Sequence, residues 1–303
     1  MSMSDLAVLI QDTSAEIAKT QEFLATDSSD FYALMELETL EQRLATLQSR
    51  FNEFAAVERV QVLRYRLLIE RASPSVKTVN DLLSTFQQAF TVLHDSIKTN
   101  TTKRRARVSE ASAHSSAFGF AYSFSGSLGF ALTLPADLSL LDNEFSRTLL
   151  AVERILSARD QADIKEFAGR FGLGAIRTVY RWIDAIVKSG FDAELEWHPD
   201  GERIEQFLVQ IPDAQAVRNL ILQTSEVEIL EREYRGTLVA YDSIRRTFRF
   251  SAGNVAMMHG TVTDSLTEQL TVPAPYSVRV RVSTISRYSS EEKEESFELL
   301  ALI

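Results

Sequence analysis

The residues that could do chemistry are few and widely spaced. The chain has no cysteine and only four histidines, none of which forms a paired metal-binding motif such as H-x-x-x-H. Glu194, Glu196 and His198 alternate along one predicted strand, where they could face a divalent metal. Three ligands spaced in this way span about 13 Å, which is too far for a single ion. The sequence therefore predicts no metal site.

A serine nucleophile is the other chemistry that the sequence suggests. Residues 125–129, SGSLG, come close to the G-x-S-x-G elbow of serine hydrolases, but the first glycine is missing. The segment also lies in a predicted hairpin turn, whereas an elbow needs a strand followed by a helix. No phosphate-binding loop or dinucleotide fingerprint is present either. We therefore predict no catalytic residue and no cofactor, and we expect the protein not to be an enzyme.

Composition narrows the class of partner. The 303 residues are 45% hydrophobic and 24% charged, which is typical of a globular chain with room for two or three compact units. The formal net charge of -10 repels nucleic acid phosphates and anionic membranes, unless a local basic patch reverses the field. The absence of cysteine suits a reducing compartment, and no apolar run is long enough to cross a membrane. We expect a cytoplasmic protein with no membrane contact.

The strongest pattern is an apolar stripe near the beginning of the chain, here called the seam. Its spacing of 3-4-3-4-3 is typical of a coiled coil. The members of the seam are Leu37, Leu40, Leu44, Leu47, Phe51 and Phe54. Neither glycine nor proline interrupts residues 30–72, so the pattern predicts one helix of about 60 Å that must pair with another helix. The phase of the apolar spacing changes after Phe54, which allows a bend or a switch of partner there.

The partner of this helix is either internal or another chain. Ser73-Pro74-Ser75 ends the helix and begins a second amphipathic one, so residues 1–100 are predicted to contain an antiparallel helical hairpin. An internal bundle and self-association through the seam both satisfy the pattern.

Residues 101–223 are predicted to form a central α+β domain. A polar connector with the basic run Lys103, Arg104, Arg105 and Arg107 leads into a β-hairpin with a turn at 125–127. Several helices follow, then a second β-hairpin with a turn at 199–201. The basic run could hold phosphate, although an exposed charge run is more often only solvated.

Residues 164–183 superficially resemble the helix-turn-helix of bacterial transcription regulators. In that motif the glycine of the turn precedes an apolar anchor by six residues, whereas Gly172 precedes Val179 by seven. The additional residue rotates the second helix by about 100°. An ordinary helical hairpin is therefore predicted.

Residues 224–303 are predicted to form a small β-barrel of the OB-like or SH3-like kind. Five short strands with one turn of helix at 264–270 support this prediction. Such barrels bind single-stranded nucleic acid when arginines alternate with exposed aromatic residues, for which Phe248, Phe250, Tyr276 and Tyr288 are candidates. Glutamates on the same strands favour cross-strand Arg–Glu pairing instead.

The sequence thus predicts an α+β protein with domains at 1–100, 101–223 and 224–303. The leading hypothesis is a non-enzymatic assembly or adaptor protein that binds a protein partner, or itself as a homo-oligomer, through the seam. The alternative is a nucleic-acid-binding protein. Its phosphate contacts would come from Lys103, Arg104, Arg105, Arg107, Arg245, Arg246, Arg249, Arg279 and Arg281.

Overall fold

The structure is a computed structural model that describes residues 2–68, 74–124, 128–135, 144–198, 204–253, 257–264, 266 and 270–303. It is mixed α+β with two sheets, which confirms the predicted class. Contacts between residues divide the chain into two compact units, Met1–Ile221 and Leu222–Ile303. The further division of the first unit at residue 100 stays a prediction.

The first unit contains eight helices and five strands among the described residues. In chain order they are α1 (Met3–Thr26), α2 (Phe31–Val57), β1 (Val60–Leu68), α3 (Val76–Thr99), α4 (Glu110–Ser115), β2 (Gly119–Phe124), β3 (Leu128–Pro135), α5 (Glu144–Leu156), α6 (Gln161–Phe171), α7 (Leu173–Ser189), β4 (Asp192–Trp197), β5 (Glu205–Val209) and α8 (Ile211–Gln223). Both predicted hairpins are present, and their turns at 125–127 and 199–201 lie outside the described residues.

The prediction of one helix over residues 30–72 is wrong in its second half. Helix α2 ends at Val57, Arg59 has a left-handed φ of 56°, and strand β1 follows. Residues 60–68, VQVLRYRLL, alternate bulky apolar side chains with polar ones and are rich in the β-branched and aromatic types that favour strands. Strand β1 is the middle strand of a sheet with the order β2-β3-β1-β4-β5, in which all pairs are antiparallel.

The predicted helical hairpin also has different members. Helix α2 packs against α1, whereas α3 packs against α7 and α5. The reason is that β1 separates α2 from α3 and carries the chain through the sheet. A two-helix hairpin at the beginning of the chain is therefore present, but it is formed by α1 and α2.

The sheet of the first unit has helices on both faces. Leu63, Tyr65 and Leu67 of β1 are completely buried on one face, where Trp182 of α7 and Phe86 of α3 pack against Tyr65. On this side the indole Nε1–H of Trp182 donates to the hydroxyl of Tyr65 at 3.1 Å. The opposite face packs against α1 and α2.

In its described residues the second unit contains five strands, β6 (Ser225–Asp242), β7 (Thr247–Ala252), β8 (Met258–Val262), β9 (Ala274–Arg287) and β10 (Lys293–Leu302). They pair in the closed order β10-β8-β7-β6-β9, and β10–β8 is the parallel pair. Their inward side chains form one apolar core that includes Phe248, Phe250 and Val280. Most of the short helix predicted at 264–270 lies outside the described residues.

Candidate partner-binding surface

The hairpin of α1 and α2 begins and turns at capped helix ends. The Ser2 hydroxyl accepts from Asp5 N while the Asp5 carboxylate accepts from Ser2 N, which forms a capping box. The Asp5 carboxylate has a lowered pKa because hydrogen bonds from Ser2 stabilise its charged form. At the turn, the Asp30 side chain accepts from the amides of Tyr32 and Ala33 at 2.9 and 3.0 Å. These caps fix where α1 begins and where α2 begins.

The chain itself covers the seam in part. Leu40, Leu47 and Phe51 are buried, and Leu37, Leu44 and Phe54 are half-buried. Leu47 and Phe51 belong to one apolar cluster with Leu6 and Ile10 of α1 and Tyr122 of β2. Internal packing therefore accounts for Leu47 and Phe51, and self-association through the seam stays a prediction.

A second apolar set lies at the end of the hairpin where α1 and α2 join. We call it the apolar end. It consists of Phe23, Phe31, Tyr32, Leu34 and Met35, with exposed fractions of 52%, 67%, 83%, 46% and 54%. Three of these residues share one face of α2 because they are spaced at i, i+3 and i+4. A surface of this kind on a folded chain commonly marks a site of protein contact.

The apolar end could not be recognised from the sequence because its residues lie beside the seam. If the 3-4 spacing of the seam is extended backwards from Leu37, the next member is Ala33, which is 7% exposed. Tyr32 and Leu34 are the neighbours of Ala33 in the sequence and therefore lie outside the stripe. The signal that could have found it was an excess of large apolar side chains around Ala33, over more of the helix surface than a single stripe covers.

Acidic side chains surround the apolar end. Asp27, Glu36 and Glu38 are exposed at the turn and along the first turns of α2. Asp30 is half-buried because its carboxylate caps the helix. The surface therefore combines an apolar centre with a negatively charged border.

The predicted basic run is partly fixed in the fold. The connector lies across the turn between α6 and α7, where Lys103 N donates to Phe171 O at 2.8 Å and Gly174 N donates to Lys103 O at 2.6 Å. The ammonium group of Lys103 also pairs with Asp95 at 2.5 Å, so Lys103 cannot bind phosphate without breaking a partly buried ion pair. Arg104, Arg105 and Arg107 are exposed.

Asp95 is held as a carboxylate by its neighbours. Burial raises the pKa of Asp95, but hydrogen bonds from Lys103 and Ser112 and the charge of Lys103 outweigh burial, so the net pKa is lowered. This buried carboxylate ties the connector to α3. Asp95 therefore has a structural role, which is to hold the connector in place.

The segment that resembles a helix-turn-helix forms an ordinary helical hairpin. The beginning of α7, which would contact DNA in that motif, is covered by the backbone of Lys103 and Arg105. Arg177, one of the two arginines on α7 that could contact DNA, is only 6% exposed.

Several of the arginines predicted to bind phosphate in the second unit are engaged by carboxylates. Arg279 pairs with Glu233 at 2.9 Å. Arg281 pairs with Glu231 at 3.3 Å and with Glu298 at 2.8 Å. The favoured prediction of cross-strand Arg–Glu pairs therefore agrees with the contacts of these two arginines.

The remaining arginines of this set lie around β7. Arg246 forms an ion pair with Asp264, and Arg245 and Arg249 are exposed. Phe248 and Phe250 are buried in the core, where they cannot stack on bases. Tyr288 is buried as well, and burial together with a hydrogen bond to Glu226 raises the pKa of its hydroxyl. Tyr276 is half-buried.

The two glutamates that alternate along strand β4 have partners other than a metal. Glu194 pairs with Arg66 and Glu196 with Arg64, both at 3.1 Å, on the face of the sheet that packs against α1 and α2. Within the part of the chain that the structure describes, no group of three or more His, Asp or Glu residues is arranged to hold a metal ion.

The described residues of the first unit include two open grooves. One, of about 520 Å³, lies between α5, β5 and α8 and is lined partly by Phe207 and Val217. The other, of about 440 Å³, lies between α3 and α7 and contains Asp81, Arg181 and Asp184. Burial raises the pKa of Asp184, but hydrogen bonds from Lys188 and Arg218 outweigh it and the net pKa is lowered. This shift moves Asp184 away from the near-neutral pKa that suits a general base.

Comparison with protein-family models, with curated proteins and with solved structures finds no match to this chain. None of the helices that the structure describes is long and apolar enough to span a membrane.

Proposed function

We propose that this protein is a non-enzymatic assembly or adaptor protein that binds a protein partner through the apolar end of its α1–α2 hairpin. The single observation that supports the proposal is the exposure of five large apolar side chains around the capped turn between α1 and α2. Leu40, Leu47 and Phe51 of the seam are buried within the chain, so we assign the partner to the neighbouring surface, which is more exposed.

The free energy available from this surface suits reversible binding. Burying one such side chain fully contributes about 1.5–3 kcal/mol, so five that are roughly half exposed offer on the order of 5–8 kcal/mol. Association costs an estimated 4–15 kcal/mol in lost freedom of motion. The apolar end therefore supports a reversible complex when polar contacts around its border add to it.

The acidic border of the apolar end indicates which side chains the partner protein should present. Because Asp27, Glu36 and Glu38 surround the apolar end, a matching protein surface has an apolar centre and lysine or arginine around it. An anionic membrane would be repelled by the same acidic groups and by the net charge of -10.

Photo-crosslinking in cells of the source organism tests this proposal. We expect p-benzoylphenylalanine in place of Tyr32, the most exposed residue of the apolar end, to form a defined protein adduct. The same amino acid in place of Arg50, which is exposed further along α2, should not form it. A second change, Met35→Lys, should abolish the adduct at position 32 by placing a charge in the contact.

Mass spectrometry of the adduct identifies the partner. A peptide from another protein supports the adaptor proposal, and peptides from this same chain would assign the surface to self-association. Equal labelling at positions 32 and 50, or no adduct at either position, would contradict the proposal.

A further inference from the structure

Strand β6 is much longer than the part of it that takes part in the closed sheet. It spans 18 residues, from Ser225 to Asp242. Along one edge it pairs with β9 from Ser225 to Leu238, but along the other edge it pairs with β7 only from Gly236 onwards. Within the described parts of the chain, the second edge of residues 225–235 has no strand beside it. We call this segment the open edge.

The free edge of a strand can pair with a strand of another chain because its amide and carbonyl groups lack hydrogen-bond partners. The open edge also carries exposed apolar side chains, Val227, Ile229 and Leu230, with exposed fractions of 59%, 59% and 39%. Proline and lysine, two residues that natural proteins use to protect such edges, are absent from 225–235. The open edge is therefore suited to adding a further strand.

Glu228 and Arg232 are two of the charged side chains of the open edge for which the described part of the chain offers no ion pair. Glu231 and Glu233 point to one face of the strand and pair with Arg281 and Arg279 of β9. Glu228 and Arg232 lie on the other face of the strand and are exposed. Leu230 lies between them.

From this arrangement we infer that a second copy of the chain pairs with the open edge, strand β6 against strand β6, antiparallel about a two-fold axis at Leu230. Residues directly opposite one another in an antiparallel pair share a face and interact. In this register each Glu228 lies opposite Arg232 of the other copy, and the two Leu230 side chains meet at the axis. The sequence Glu-x-Leu-x-Arg is thus complementary to itself when its direction is reversed.

Neighbouring registers are less favourable. A shift of the axis by one residue in either direction, to Ile229 or to Glu231, sets Leu230 opposite a charged side chain, Glu228 in one case and Arg232 in the other. On the other face of the inferred register, Ile229 lies opposite Glu231, whose carboxylate is held by Arg281. Of these three registers, the one centred on Leu230 therefore pairs Glu228 with Arg232 and leaves Leu230 opposite an apolar side chain.

The other free edge of the same sheet is a poorer partner. Strand β10 pairs with β8 only at Glu298 and Leu299, so residues 293–297 also have an open side within the described structure. Glutamate is the commonest residue both there and in residues 225–235, so pairing β6 with β10 of another copy would bring like charges together. Symmetric pairing through β6 avoids this repulsion and closes the assembly as a dimer.

This inference goes beyond the proposed adaptor function and does not depend on it. The open edge belongs to the second compact unit and the apolar end to the first. A dimer would let one assembly carry two apolar ends. The variant Met35→Lys, which tests the apolar end, should leave dimerisation through β6 unchanged.

Sedimentation equilibrium on purified full-length protein at low salt tests the inference. We expect the wild-type chain to form dimers reversibly. Glu228→Arg alone places arginine opposite arginine twice in each dimer, and Arg232→Glu alone places glutamate opposite glutamate twice. Each single variant should dimerise about 10- to 30-fold more weakly than the wild type.

An equal mixture of the two single variants provides the decisive test. In a mixed pair, arginine at 228 faces glutamate at 232, while native Arg232 faces native Glu228, so the mixed dimer should recover wild-type affinity. Glu295→Arg, an equal change of charge at an exposed position on β10, is the control and should not change self-association. Circular dichroism establishes that each variant is folded.

The inference is overturned if the folded wild-type chain stays a monomer at all accessible concentrations, or if the mixture of single variants dimerises no better than either variant alone. Equal weakening by Glu295→Arg would also overturn it, because net charge and not the β6 register would then control association.

Discussion

Gly172→Ala is expected to lower the free energy of unfolding of the first unit by about 3 kcal/mol or more. Gly172 has a φ of 92°, a backbone conformation that is unfavourable for residues with a Cβ atom. A Cβ at this position would lie 2.2 Å from Lys103 N and 2.3 Å from Lys103 O. The connector would have to move away and lose the hydrogen bonds that hold it to Phe171 and Gly174.

Urea denaturation monitored by circular dichroism measures this effect as a lower midpoint concentration of urea, with the slope of the unfolding free energy against urea unchanged. Gly169→Ala is the matched control because Gly169 lies in helix α6, where an added Cβ would meet no neighbouring atom within 4 Å. That change should stabilise the protein by about 0.5–1 kcal/mol, since alanine favours helix. Similar stability for Gly172→Ala and the wild type would show that the connector is not docked on the turn.

Trp182→Ala is expected to cost about 3–5 kcal/mol of unfolding free energy. The indole is completely buried between the sheet and α3, in contact with Phe86 at 5.1 Å between ring centroids. Its removal leaves a large cavity and also removes the donor to the hydroxyl of Tyr65, whose pKa burial already raises. Trp182 is among the largest of the fully buried side chains, so its loss should be one of the most destabilising single truncations in this core.

The same urea titration provides the comparison for Trp182→Ala. Phe120→Ala removes an aromatic side chain that is 60% exposed on strand β2, and it should cost less than about 1 kcal/mol. If both changes had equal effects, the layer formed by α3, α7 and the sheet would not be the core of the first unit.

The strands of the second unit could be predicted from the sequence because their signals are local. Val278, Val280 and Val282 alternate with polar residues, and all three are buried in the core of that unit. Alternation of this kind appears within a few residues and needs no knowledge of distant parts of the chain. The two hairpins of the first unit carry the same local signal.

Strand β1 could not be distinguished from helix by the same means. Val57, Val60, Leu63 and Leu67 continue a helical spacing while Leu63, Tyr65 and Leu67 also alternate, so the segment fits both periods. Pairing with β3 and β4, which lie far along the chain, decides in favour of strand. Non-local pairing overrides local pattern in such segments.

The candidate surfaces were hidden from sequence reasoning for related reasons. The sequence did not show that Leu47 and Phe51 of the seam pack against α1, because α1 has a weaker apolar pattern than α3. The apolar end was obscured by its closeness to the seam. The role of Gly172 and Gly174 against Lys103 and Arg105 was also hidden, because it depends on a connector about 70 residues earlier in the chain.

The proposed function requires that α1 covers the seam of α2 within one chain and leaves the apolar end as the binding surface. The natural absence of cysteine allows a direct test. Glu16 of α1 and Arg43 of α2 are exposed and approach within 4.0 Å, so the double variant Glu16→Cys with Arg43→Cys places two thiols side by side. Treated with a short bis-maleimide, it should give an internally crosslinked monomer on a denaturing gel, at the same yield over a wide range of protein concentration. Covalent dimers as the main product, increasing with concentration, would show that the seam is covered by another chain and would contradict this arrangement.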